Sequence, residues 1–141
     1  MTSLTRRYAF SASHRLDSPQ LSAAENARLF GKCNNPFGHG HNYILEVTVA
    51  GDPDAVSGLI VPVAWLDELV GDKILRLFRN RYINLDVAEF THLVPTTENV
   101  TQVTANLLAR DWREYIGEGA ARLEKVRIEE TGRNSCEICL N

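Results

Sequence analysis

The sequence predicts an α+β fold of order ββααββ, an antiparallel sheet covered by helices on one side. Two observations carry this. Stretches that alternate apolar and polar residues, the mark of a half-buried strand, gather at the two ends of the chain. Two longer stretches between them repeat their apolar residues at three and four, the mark of an amphipathic helix. The strands are therefore grouped as hairpins and do not alternate with helices as βαβ units.

"RYAFSASH" opens the series. If it is a strand, Tyr8, Phe10, Ala12 and His14 share one face. In "LSAAENARLFGK", Ser22 followed three residues later by Glu25 is a capping box, and Gly31 suits the position after a helix end. The spacing predicts a short helix over roughly 23–30 that delivers Cys33 into a loop held by Asn34, Asn35 and Pro36. "HNYILEVTVAG" is the strongest strand, with Tyr43, Leu45, Val47 and Val49 on one face and Gly51-Asp52-Pro53 ending it. "VPVAWLDELVGDKILRLFRN" reads as one helix, with Pro62 in its first turn and a stripe of Leu66, Leu69, Val70, Ile74, Leu77 and Phe78. Thr97 is placed to cap a second helix whose stripe is Val100, Val103, Leu107, Leu108 and Ile116, ended by Gly117. "LEKVRIEETGRNSCEICL" completes the chain as strand, turn, strand around Gly132 and Asn134.

A chain of 141 residues with no repeat, linker or low-complexity tract is expected to form one domain, residues 1–141. A net charge of -3 argues against a general nucleic-acid binder. No stretch approaches the roughly 20 apolar residues of a membrane span, and "MTSLTRRYAF" lacks a signal-peptide apolar region. A cytoplasmic location is the resulting expectation. The three cysteines, Cys33, Cys136 and Cys139, do not suggest a disulfide framework. Cys136 and Cys139 stand three apart on an alternating stretch, face opposite sides, and read as ordinary strand residues.

The histidines are more informative. His14 continues the face of Tyr8, Phe10 and Ala12; His39 and His41 continue that of Tyr43, Leu45 and Val47. Three imidazoles thus close apolar strand faces, a set suited to zinc with an open fourth position. His92 has no matching phase and reads as a loop residue. Glu130 shares its face with Val126 and Ile128, whereas Glu129 points the other way. A carboxylate closing an apolar face is costly unless something pairs with it.

"FSASH", "KCNNPFGHGHNY", "INLD", "PTTEN" and "EET" occur in the order seen in the 6-pyruvoyl-tetrahydropterin synthase family, which includes the 6-carboxytetrahydropterin synthases. The chain resembles this family from Tyr8 to Asn134. Five residues separate Cys33 from His39, the spacing typical of the pyruvoyl synthases. The resemblance implies a tunnelling fold (T-fold) with a four-stranded antiparallel sheet and two helices, three sheets joined into a barrel, and two trimers stacked into a homohexamer. It implies zinc on His14, His39 and His41, Cys33 as catalytic thiol, and Glu130 as anchor for the pterin ring, with Thr96, Thr97 and Glu98 lining the pocket. The implied reaction removes triphosphate from 7,8-dihydroneopterin triphosphate, at a site between subunits.

One element departs from the family. Its Asp-His pair precedes "NLD", and aligned on Asn84-Leu85-Asp86 those positions hold Arg81 and Tyr82. Tyrosine has a reference pKa of about 10 and is a poor base beside histidine. Three readings stay open: a slow synthase with Tyr82 in a reduced catalytic role, an enzyme acting on a different pterin, and a non-catalytic pterin-binding relative. The 6-carboxytetrahydropterin synthases are the named alternative activity.

Overall fold

The computed structural model describes residues 1–119 and 121–140. Four strands form one antiparallel sheet in sequence order: β1 (Thr2–His14), β2 (His39–Gly51), β3 (Arg122–Thr131) and β4 (Asn134–Cys139). Between β1 and β2 lies α1 (Ala23–Phe30), followed by a 3-10 turn over Gly31–Asn34. Between β2 and β3 run α2 (Val63–Val70), α3 (Arg76–Phe78), α4 (Ile83–Asp86) and the long α5 (Thr97–Ile116).

The period-2 pattern holds where it was read. Tyr43, Leu45, Val47 and Val49 are fully buried, as are Val126 and Ile128, and Phe10 stacks on Tyr43 with ring centroids 5.0 Å apart. α5 packs on β3 and β4, and α2, which buries Leu66, Leu69 and Val70, packs on α5. The opposite sheet face carries charge: Glu46 pairs with Arg7 at 3.5 Å and with Arg127 at 3.4 Å. β1 starts at Thr2, earlier than its alternation indicated, and β2 starts at His39.

Four expectations need correction. The helix predicted over 61–80 is not uniform: a π-helical turn, Gly71–Leu75, separates α2 from α3, and Pro62 is the N-cap and not a first-turn residue. The stripe still buries Leu66, Leu69, Val70, Ile74 and Phe78, so a pattern of apolar residues does not reveal the wider turn. Cys33, expected in a loop held by Asn34, Asn35 and Pro36, lies in the 3-10 turn whose C-cap is Asn35. The cap of α5 is Thr96, whose Oγ1 accepts from the Asn99 amide at 3.1 Å. The short helix α4 was not foreseen, being too brief to show periodicity. The capping box at Ser22 and Glu25 is present as read.

Two local features shape the site. Asn80 has φ 59, a left-handed conformation that asparagine tolerates, and it turns the chain back alongside β1. The Asn80 amide then donates to the Ser11 carbonyl at 2.7 Å and the Ser13 amide to the Arg81 carbonyl at 3.0 Å. On β3 the ladder to β4 passes from Glu129↔Ser135 to Thr131↔Asn134, which leaves Glu130 as the unpaired extra residue of a bulge.

Candidate metal centre and pterin pocket

The β1–β2 register sets His14 opposite His39 and Ala12 opposite His41. All three imidazoles therefore project from one end of the strand pair. Their ring centroids lie 5.1 Å (His14–His39), 4.9 Å (His14–His41) and 4.6 Å (His39–His41) apart, near perpendicular to one another. The Nε2 atoms of all three are buried and have no hydrogen-bond partner among the described residues. An orphaned buried polar atom costs about 1–3 kcal/mol. Three such atoms on rings whose centroids lie 4.6–5.1 Å apart fit a bound cation, which would satisfy them together.

The surrounding groups favour that role. His14 is fully buried, and its Nδ1 donates to the Pro95 carbonyl at 2.9 Å, which leaves the Nε2 lone pair bare. Burial holds both His14 and His41 below the usual imidazole range, so both stay neutral, the form that ligates. His14, Cys33, His39 and Glu130 also offer ligand atoms all within 4.8 Å of one another, a second set that shares two members with the histidine triad. His41 is outside that set of four, but its Nε2 stands 3.0 Å from Glu130 Oε1 without the alignment of a hydrogen bond.

Cys33 is half-buried beside this cluster. Burial, and then the Glu130 carboxylate, push its thiol above the usual range. The protein's own groups thus disfavour the thiolate, and a nearby cation is the charge that would reverse this.

Glu130 is 7% exposed and keeps the inward phase of Val126 and Ile128 on β3, at the bulge. Its Oε2 accepts a short hydrogen bond from the Thr97 hydroxyl, and Thr97 in turn accepts from Asn134 Nδ2 at 3.1 Å. Glu129 points to the other face and pairs with Arg127 at 3.7 Å. A cavity of about 810 Å³ opens over the cluster, lined among others by Lys32, Cys33, His39, His41, Glu130 and Asn134.

Other expected site residues stand elsewhere in the single chain. Thr96 is occupied as the helix cap, Glu98 is exposed, and neither lines the cavity. Thr97 reaches the site only through Glu130. Tyr82 also lies outside the cavity lining; its ring instead packs against Gly38, 3.0 Å from the place a Cβ there would take. His92 is an exposed loop residue, as read. Two contributors escaped the sequence reading. Pro95 acts through a carbonyl, which no side-chain pattern reports. Asn134 was read as a turn residue, but it opens β4 beside the bulge, where it reaches Thr97.

The family described as 6-pyruvoyl tetrahydropterin synthase matches residues 3–139. A 6-pyruvoyl tetrahydrobiopterin synthase from Homo sapiens is 41% identical over 93% of this chain and 86% of its own length. One from Drosophila melanogaster is 47% identical over 93% of this chain and 75% of its own. The solved structure of the Caenorhabditis elegans 6-pyruvoyl tetrahydropterin synthase superposes with a TM-score of 0.89 at 36% identity, covering 99% of this chain and 96% of that one. The four-stranded antiparallel sheet with its helices is the T-fold of these neighbours. With the motif order, the topology and the buried histidine cluster in agreement, the chain belongs to the 6-pyruvoyl tetrahydropterin synthase family.

Proposed function

We propose that this protein is a zinc-dependent lyase that acts on 7,8-dihydroneopterin triphosphate, eliminating triphosphate and leaving a pyruvoyl side chain on the reduced pterin. The observation that carries the reading is the cluster of three orphaned Nε2 atoms beside Cys33 and Glu130, with His39, His41, Cys33 and Glu130 lining one cavity and His14 buried behind it.

In this reading His14, His39 and His41 hold the metal. When bound, zinc would withdraw charge from the side-chain hydroxyl oxygens and make the neighbouring C–H groups more acidic. Cys33, as thiolate, takes a proton from a side-chain carbon of the substrate. Glu130 accepts hydrogen bonds from the pterin 2-amino and ring N–H groups and fixes the ring. His14 and His41, held neutral by burial, keep their Nε2 lone pairs available to the metal. Lys32 at the cavity wall supplies a positive charge facing an anionic substrate.

Arg81 and Tyr82 stand where the family has its Asp-His pair, so the proton that pair would handle needs another carrier. This specific departure favours a slow or altered synthase as second reading, and a non-catalytic pterin binder as third. The 6-carboxytetrahydropterin branch is less favoured, since the close relatives are named as pyruvoyl synthases.

The edge positions of β1 and β4 support closure of three sheets into a barrel and a homohexamer of two trimers. In such an assembly Tyr82, Thr96 and Glu98 would meet a neighbouring subunit's site. No helix among the described residues is long and apolar enough to cross a membrane. Three free cysteines support the reducing cytoplasm as location. One domain over residues 1–141 completes the proposal.

The test is incubation of the purified, zinc-loaded protein with 7,8-dihydroneopterin triphosphate and mass analysis of the products. A pyruvoyl pterin with free triphosphate is expected. A carboxypterin or unchanged substrate would overturn the assignment.

A further inference from the structure

The hydrogen-bond chain behind Glu130 has a fixed direction. Glu130, as carboxylate, only accepts. The Thr97 hydroxyl has one hydrogen, and it goes to Glu130 Oε2. Thr97 Oγ1 can therefore only accept from its other neighbour, which is the Asn134 side-chain amide at 3.1 Å. An acceptor at residue 134 would compete for the same hydrogen. The amide thus commits the hydroxyl to Glu130. With Oε2 held by Thr97, Oε1 is left as the oxygen on the histidine side, 3.0 Å from His41 Nε2 and 3.8 Å from His14 Nε2.

The backbone explains why residue 134 can do this. The turn between β3 and β4 is two residues, Gly132 and Arg133, so β4 begins at Asn134 directly beside the bulge at Glu130. Thr97 is the first residue of α5, and its Oγ1 is free for this work because Thr96 caps the helix. Three elements, the bulge on β3, the start of β4 and the start of α5, meet at one carboxylate.

We propose that Asn134 is a positioning residue: by donating to Thr97 it holds the Thr97 hydroxyl in place and leaves its hydrogen to Glu130 alone, and so fixes the carboxylate that receives a pterin's N–H groups. This rests on the pterin-binding reading above. It assigns Asn134 no contact with the ligand, although the residue lines the cavity wall.

The experiment is the binding of 7,8-dihydroneopterin to zinc-loaded wild type, Asn134→Ala, Thr97→Val, Thr97→Ser and the double Asn134→Ala with Thr97→Val, by quenching of the pterin fluorescence. Zinc content and melting temperature are measured alongside. Asn134→Ala is expected to weaken binding about fivefold, and Thr97→Val about tenfold or more, as for one neutral and one charge-assisted hydrogen bond. Thr97→Ser keeps the hydroxyl and should bind within about twofold of wild type. The double should be no weaker than Thr97→Val alone, because Asn134 acts only through Thr97. Additive losses would make Asn134 a direct ligand contact and overturn the proposal. So would a Thr97→Ser as weak as Thr97→Val, or an Asn134→Ala indistinguishable from wild type. A zinc-loaded wild type that binds no pterin overturns the functional reading itself, and this inference with it.

Discussion

Replacing Gly38 with alanine should damage the metal centre from its backbone outward. Gly38 has φ +70, in the left-handed region, and a Cβ there would stand 2.7 Å from the His14 carbonyl oxygen, 3.2 Å from its carbon and 3.0 Å from Tyr82 Cε1. The backbone conformation alone costs a side chain about 1–2 kcal/mol. Overpacking adds about 1–3 kcal/mol, and here the nearest obstacle is backbone that cannot rotate away. The total is roughly 2–5 kcal/mol, or a fall in melting temperature of about 6–15 °C for a chain of this size. Gly58→Ala is the control, since Gly58 has φ +76 but nothing within 4 Å of the added carbon. It should lose only the backbone share, about 3–6 °C. Gly38 precedes His39 and presses on His14, so the clash moves two of the three expected ligands. The assay is thermal denaturation with and without zinc, with zinc content by metal analysis. Gly38→Ala should melt well below Gly58→Ala and lose most of its stabilisation by zinc. Equal melting temperatures and full zinc content in both would refute the packing argument.

Three further outcomes follow from the same geometry. Burial holds the folded-state pKa of His14 and His41 below the unfolded value of about 6.5, so the unfolded chain binds more protons as pH falls; metal-free stability should be complete above about pH 6.5 and decline below it, and denaturant titrations of wild type and His14→Gln from pH 7.5 to 5 should show that slope flattened in the variant. Glu130→Gln should weaken pterin binding by roughly tenfold or more, whereas Glu129→Gln, on the opposite face and paired with Arg127, should leave it unchanged; equal losses would contradict the strand phase. The double change Arg81→Asp with Tyr82→His should raise initial rates on 7,8-dihydroneopterin triphosphate above wild type, with Tyr82→His alone gaining little because the neighbouring Arg81 disfavours an imidazolium; a wild type already as fast as the double would mean that the proton is carried elsewhere.

What the sequence made legible was whatever depends on local period. His39 and His41 stand two apart on a strand that buries Tyr43, Leu45 and Val47, so their common direction followed from phase, and His14 followed likewise from Phe10 and Ala12. Glu130 was separated from Glu129 by the same rule. The capping box was legible because two residue types at a fixed spacing specify it. Thr96 and Thr97 were not separable, because adjacent residues of one type cap equally well by composition, and only the path of the chain decides which faces Asn99 and which faces Glu130. The π-helical turn was hidden because Val70, Ile74 and Phe78 remain four apart through it. Tyr82 was judged by its place in a motif, whereas its packing against Gly38 depends on the left-handed turn at Asn80 and pairing across a long separation in sequence. Asn134 was out of reach because a bulge changes which residues meet, and nothing in the alternation of "VRIEET" marks one.

Zinc-edge X-ray absorption on the zinc-loaded protein tests the central assignment most directly, because the two overlapping ligand sets differ in sulfur. His14, His39 and His41 leave Cys33 free to act as a base, whereas His14, Cys33, His39 and Glu130 would make it a ligand. The expected spectrum has nitrogen and oxygen neighbours at about 2.0–2.1 Å and no sulfur, and it is unchanged in Cys33→Ala. A sulfur shell at about 2.3 Å, lost in Cys33→Ala, would contradict the account and remove Cys33 from the chemistry assigned to it.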